Sequence, residues 1–206
     1  MTATRSAAVS PAEGTATGGG MGWFGTLTRS PYPLLEGPRL VMRLPQMSDF
    51  SAWVNLRQAS RDFLTPFEPL WPADDFQRAS FQRRVQRHQS EAANGQAFGF
   101  LIFRRADQVL LGGVSLSHVR RGVMQAATLG YWMGAPHAGQ GVMSEAVGML
   151  KPFAFNTLTL HRLEAACLPD NAPSIRLLEK AGFSREGYAR KYLNISGCWR
   201  DHVLYG

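Results

Sequence analysis

The feature that most constrains this chain is the junction at residues 130–143, Gly-Tyr-Trp-Met-Gly-Ala-Pro-His-Ala-Gly-Gln-Gly-Val-Met. Before it, the run AATLGYWMG at 126–134 reads as a β-strand. After it, Val142, Ala146, Met149, Leu150 and Phe153 recur on one helical face until Pro152 disturbs the helix. Gly139 and Gly141, spaced by one residue, let the backbone expose consecutive N–H groups where the helix N-terminus adds partial positive charge. Such a turn can cradle a pyrophosphate, or it is simply a tight turn that needs positive φ. No Gly-Lys-Ser/Thr follows, which excludes a Walker loop, and the preceding strands do not open a βαβ repeat, which disfavours a Rossmann fingerprint. Another phosphate-bearing cofactor is required.

Around this junction the pattern alternates strands and helices. Runs at 98–105, 109–119 and 126–134 predict an antiparallel meander. Upstream, 40–44 reads as a first strand, and Ser48 caps a helix carrying Phe50, Trp53, Val54 and Leu56. The proline- and aromatic-rich segment 63–72 predicts a structured loop, and Asp74 and Asp75 open a helix to about residue 94 with Phe76, Phe81, Val85 and His88 along one side. Downstream come a strand at 162–168, a helix at 172–182 ended by Gly182, and two strand-like runs at 183–193 and 198–206. Residues 1–22, poor in large apolar side chains, predict a flexible tail ahead of one α+β domain at 23–206.

Charge and cysteine content narrow the setting. Twenty-two basic residues against 15 acidic ones leave a net charge of +7, and only Lys151, Lys180 and Lys191 are lysines. This arginine-rich surface attracts nucleic acid, ribosomal surfaces or phosphorylated cofactors, or merely solubilises the protein. The longest apolar runs, such as FGFLIF at 98–103, fall far short of the roughly 20 residues of a membrane-spanning helix. The first residues, MTATRSAAVSPAEG, lack the apolar core of a secretory signal, and Cys167 and Cys198 stand alone, so a cytoplasmic protein with two free thiols and no metal site is expected.

The turn His137-Ala-Gly-Gln-Gly-Val-Met143 resembles motif A of the GNAT acetyltransferases, R/Q-x-x-G-x-G/A, although the leading Arg or Gln falls at Pro136. The segment Asn171-Ala-Pro-Ser174 followed by Gly182-Phe183 is similar to that family's second signature. The segments Ser60-Arg-Asp-Phe-Leu-Thr-Pro-Phe-Glu-Pro, Glu186-Gly-Tyr-Ala-Arg-Lys-Tyr-Leu and Gly197-Cys-Trp-Arg-Asp-His-Val-Leu resemble the Rim-type ribosomal-protein-alanine N-acetyltransferases, and the likeness covers roughly residues 38–206. The resemblance implies a mixed, mostly antiparallel sheet flanked by helices, with a splayed acetyl-CoA cleft. It also implies that the pantetheine runs along Leu129, Tyr131, Trp132 and Met133, that Gly139, Gln140, Gly141, Val142 and Met143 meet the pyrophosphate, and that Asn171 and Ser174 border the cofactor. His137 is a secondary phosphate contact or a surface group.

The glutamate that many relatives carry on the strand before the turn is absent, since Thr128 and Leu129 stand there, and the second helix has Leu177 and Leu178 where many relatives have a tyrosine. By resemblance Ser174 becomes the acid for the departing thiol, while the residues alone equally allow a helix cap. Glu68 is the candidate base or ammonium holder, or else a solvated loop acid. Asp201 and His202 lack a nucleophile partner and read as structural. The expected activity is transfer of an acetyl group from acetyl-CoA to the N-terminal amine of a protein, a ribosomal one with N-terminal alanine by resemblance. Two alternatives are a small-amine acetyltransferase for a polyamine or aminoglycoside, and a non-catalytic ribosome- or RNA-binding factor on the same scaffold.

Overall fold

In the computed structural model, residues 32–206 are described, so the tail expected over 1–22 and the domain start expected at 23 lie outside the described residues. The strands are β1 (Leu34–Glu36), β2 (Leu40–Arg43), β3 (Phe98–Arg104), β4 (Leu110–Arg120), β5 (Ala126–Met133), β6 (Arg162–Cys167), β7 (Arg185–Ile195) and β8 (Cys198–Tyr205). The helices are α1 (Phe50–Ala59), α2 (Arg61–Leu64), α3 (Arg78–Ala93), α4 (Val142–Pro152) and α5 (Ala172–Lys180). One sheet runs β1-β2-β3-β4-β5-β6-β8-β7, antiparallel throughout except for β5 beside β6.

The near-continuous apolar run of β3 reflects burial on both faces. Phe98, Phe100 and Ile102 point into the core that α4 fills with Val142, Ala146, Val147 and Leu150. Leu101 and Phe103 point the other way, against Trp53 of α1 and Phe81 and Val85 of α3. The meander, the Gly-turn and α4 follow the expected order. The closing hairpin turns at Ser196 and Gly197, both at positive φ (49° and 84°), the geometry a two-residue loop needs to match strand twist.

Two local expectations are corrected. The segment expected as loop at 63–72 begins with the last two residues of α2 and continues as a 3₁₀ turn at Thr65–Phe67, because a proline in the first positions of a helical turn loses no hydrogen bond. α3 starts at Arg78 rather than Asp74; the Asp74 carboxylate instead accepts from Ser80 Oγ at 2.6 Å and that of Asp75 from Arg84 at 2.5 Å. Pro152 disturbs the helix as expected: it is the last residue of α4, after which the chain widens into a π-turn at Phe153–Thr157. β1 was not foreseen, since three residues carry too little periodicity to read.

Candidate active site

β5 and β6 pair in parallel only from Ala126 to Thr128, opposite Arg162 to Glu164. From Ala165 onward β6 pairs with β8, while β5 continues beside β4 as far as Met133. The two strands therefore splay beyond Thr128, and the backbone of Leu129 to Met133 carries no ladder on its β6 side. At the end of β5 the chain is pinned twice: Gly134 N donates to Leu111 O at 2.9 Å, and Ala135 N to the buried Ser60 Oγ at 2.9 Å. Gly139 and Gly141 both adopt φ of 74°, with Gly141 at the N-cap of α4. A Cβ at Gly139 would meet nothing within 4 Å. The first amides of α4 thus emerge at an uncrowded, left-handed turn, the geometry an anion cradle requires.

Several groups brace this turn. Gln140 Nε2 donates to Pro136 O at 3.0 Å. Arg39 of the β1–β2 connection pairs through Nε with Glu145 of α4 at 2.6 Å, and its Nη2 stands 3.8 Å from where a Gly141 Cβ would be. A guanidinium therefore stands beside the turn although position 136 is proline. His137 lies within electrostatic reach of Arg104 and Asp107; burial, then the Arg104 charge, lowers its pKa.

At the splay, Tyr131 of β5 and Ser174 of α5 share a short hydroxyl–hydroxyl hydrogen bond. Asn171 is the N-cap of α5, its side chain accepting from Ser174 N at 3.1 Å. The cap role weighed for Ser174 thus belongs to Asn171, and the Ser174 hydroxyl, on a residue only 8% exposed, is directed to Tyr131. Burial pushes the Tyr131 phenol up to about 12, outweighing the Ser174 hydrogen bond that draws it down. It remains a donor at neutral pH. Burial also raises the Cys167 thiol on neighbouring β6, against the pull of a Ser174 hydrogen bond.

On the other side of β5 a cavity of about 250 Å³ reaches Tyr131 and Trp132, with Glu68, Arg84, Arg87 and His88 on its walls. Glu68 is not the free carboxylate expected. Its oxygens accept from Arg57 Nη1 and Nη2 at 2.7 and 2.6 Å, and Oε2 also accepts from Trp71 Nε1 at 2.7 Å. Arg57 itself is buried, stacked over Trp71 at 4.2 Å and Trp132 at 4.9 Å. The Trp132 indole needs Gly113 opposite, since a Cβ there would come within 2.4 Å of Nε1. Asp201, as expected, is engaged structurally, accepting from Tyr188 OH and Lys191 N at 2.8 Å each.

The sequence pattern of the acetyltransferase (GNAT) domain family matches residues 39–184. The chain belongs to the GNAT acetyltransferases. Within the family it is 39% identical over 172 residues to the probable N-acetyltransferase YjcK of Bacillus subtilis (strain 168), covering 83% of this chain and 94% of the relative. It is 36% identical to the [ribosomal protein uS5]-alanine N-acetyltransferase of Escherichia coli (strain K12), over 88% of this chain and 93% of that one. The structure of Mycobacterium smegmatis RimJ in complex with CoA-disulfide superimposes with a TM-score of 0.77 at 31% identity, covering 84% of this chain and 85% of that one. This GNAT protein is an acetyl-CoA-dependent N-acetyltransferase with the mixed, splayed sheet of its family.

Sequence reasoning valued Tyr131 for its backbone and missed its phenol. The one available signal was that its neighbour across the sheet, Val114, is apolar and buried, so an inward tyrosine there must find a polar partner elsewhere. Arg57, Arg84, Arg87 and His88 were also missed as site residues, because nothing local marks an arginine as wall rather than surface. Among the described residues no group of three or more His, Cys, Asp or Glu side chains could hold a metal ion, and no helix is long and apolar enough to cross a membrane.

Proposed function

We propose that this acetyltransferase modifies the N-terminal amine of a protein, a ribosomal protein foremost. The observation that carries the reading is the cavity beneath Tyr131 and Trp132, which shares Arg87, His88, Gly99 and Ser115 with a second groove of about 540 Å³ along α3, β3 and β4. A free small amine needs only the first space; an amine with chain attached needs both. The 36% identity to an enzyme named for alanine at the start of uS5 supports the same class of acceptor.

Acetyl-CoA supplies an acetyl group already activated as a thioester. The residues here fit it: the left-handed Gly139 and Gly141 with Gln140, Val142 and Met143 offer amides for the pyrophosphate, with Arg39 alongside. His137 lies at the same turn, its backbone N–H donating to Gly134 O at 2.9 Å, and its ring is a secondary candidate for a phosphate contact. Leu129, Tyr131, Trp132 and Met133 present the backbone edge that a pantetheine can follow, with Asn171 and Ser174 across the splay.

As the amine nitrogen bonds to the carbonyl carbon and the C–S bond breaks, Ser174, backed by the protonated Tyr131, donates a proton to the sulfur, and the proton that the amine gives up passes to solvent, from which the hydroxyl pair is reprotonated. Glu68 holds the amine: a carboxylate has about four acceptor directions, and Arg57 and Trp71 take three. An α-amine, whose pKa is about 8, is partly neutral at physiological pH, so positioning it is the larger share of the task. The reaction belongs in the cytoplasm, in keeping with the unpaired thiols of Cys167 and Cys198. The basic surface suits an approach to a ribosomal particle.

The test is transfer of isotope-labelled acetyl groups to ribosomal proteins, polyamines and aminoglycosides in parallel. Label at a protein N-terminus is expected. Label on the free amines alone would replace this reading with the small-amine one, and no label on any acceptor would favour a non-catalytic binding role.

A further inference from the structure

The cavity walls carry more than shape. Glu68 is neutralised by Arg57, and Arg84 by the buried Asp75. Among the described residues Arg87 has no comparable partner: its Nε is 3.8 Å from Glu91, beyond hydrogen-bond reach, and its side chain is 61% exposed. Buried N–H groups without a hydrogen-bond acceptor point the same way, at Nε of Arg57 and Nε of Arg84. His88, whose ring packs so closely on β3 that a Cβ at Gly99 would come within 2.4 Å of it, adds no negative charge. Arg87 borders both the inner cavity and the outer groove, with Glu91 on the outer one. On the walls of the inner cavity Arg84 and Arg87 therefore outnumber the one carboxylate, Glu68, while on the outer groove Glu91 stands beside Arg87.

We propose that Arg87, with Arg84 behind it, reads a carboxylate side chain on the acceptor peptide within the first few residues after the reacting amine, and that the same wall turns away lysine-rich or polycationic acceptors. This rests on the N-terminal reading above and names the acceptor class within it. Two further observations favour it. The Arg84 guanidinium is disfavoured first by burial, which Asp75 opposes, and then by the nearby charges of Arg87 and Arg57, so these cations repel one another. An incoming carboxylate relieves that repulsion and offers acceptors to Arg84 Nε and Arg87. The inner cavity sets these charged groups beside Trp53, Phe81, Phe100, Tyr131 and Trp132, walls against which the apolar part of a peptide can pack.

The experiment uses peptides sharing one N-terminal residue, with Asp, Ala or Lys at the second to fourth positions, and compares kcat/KM for the wild-type chain and for Arg87→Gln and Arg87→Glu. Arg87 is exposed, so both variants are expected to fold, which melting curves check. The wild-type enzyme should prefer Asp over Lys by about fivefold or more, Arg87→Gln should shrink that ratio, and Arg87→Glu should invert it. Peptides acetylated with equal Asp and Lys rates, or a ratio unmoved by Arg87→Glu, would overturn the inference while leaving the N-terminal reading in place. Acetylation of free polyamines in preference to every peptide would overturn both. If Arg87→Glu spares peptide selectivity but abolishes retention on ribosomal RNA, the arginine serves nucleic acid and the inference also falls.

Discussion

The hydroxyls of Tyr131 on β5 and Ser174 on α5 meet at the splay between β5 and β6, although 43 residues separate them in the chain. Ser174 owes its position to Asn171, which caps α5 by accepting from the Ser174 amide. The Tyr131 phenol, protonated at neutral pH in any case, is pushed by burial still further from ionisation, up to about 12. Together they place a phenol and an alcohol where the second helix, with Leu177 and Leu178, has no phenol of its own.

Ser174→Ala should lower turnover by about a hundredfold, the low end of general-acid contributions because a thiolate already leaves readily. Acetyl-CoA affinity should change far less. Tyr131→Phe should act in the same direction, and the double variant should be little worse than the worse single one, since the two act as a pair. Asn171→Ala is the control for capping, expected to cost about 0.5–2 kcal/mol of stability. Turnover per folded molecule and melting temperature on all four variants decide the matter; a fall in melting temperature alone for Ser174→Ala would remove it from the chemistry.

Gly141→Val should abolish cofactor binding by titration calorimetry while the far-ultraviolet spectrum stays native. The strain of a β-branched side chain at φ of 74° is of order 1–2 kcal/mol, and the surroundings are open apart from Arg39. Gly139→Ala tests the conformational part alone, because its Cβ would touch nothing. Unchanged affinity in a folded Gly141→Val protein would take the turn out of cofactor binding.

Glu68→Ala should destabilise by about 3 kcal/mol, because it leaves the Arg57 charge unpaired in a setting where its side chain is only 8% exposed. Replacing both, as in Arg57→Met with Glu68→Leu, should recover much of that stability. The activity of the recovered double variant is then informative. Full turnover would make Glu68 a counter-ion only; a large rise in KM for the acceptor would keep it as the holder of the amine.

His88 carries a pH signature. Burial first, then the charges of Arg87 and Arg84, depress its pKa to about 4 from the ordinary 6.5. Glu91 lies 3.8 Å from its Nδ1, too far for a hydrogen bond to offset this. With the folded pKa below the unfolded one, the stabilisation is intact above about pH 6.5 and is lost as pH falls from there toward 4. The loss should reach about 2–3 kcal/mol. Chemical denaturation from pH 7 to 4.5 should show a shallower decline for His88→Gln than for the wild-type chain; parallel curves would show that His88 titrates normally.

Much of this was legible in the residues themselves. The order of strands and helices from Phe98 to Gly182 follows from apolar spacing, and the bounds of α5 from Asn171, Pro173 and Gly182, each a local rule of backbone chemistry. The start of α3 was misjudged for the opposite reason. Asp74 and Asp75 look like a helix start, but their carboxylates are drawn to Ser80, Arg83 and Arg84 once α3 has packed.

By itself the sequence determined the turn at Gly139 and Gly141, the helix it feeds, and the alternation of strands around it, because these depend on φ preferences and on periodicities within a few residues. Only the tertiary structure decided that β6 leaves β5 after Glu164 to join β8, that Tyr131 pairs with Ser174, and that Glu68 is spoken for by Arg57. Those outcomes depend on where strand twist drives two backbones apart and which polar groups are buried together there. A buried hydroxyl or charge takes whichever partner the packing brings within reach, and no local spacing records which that will be.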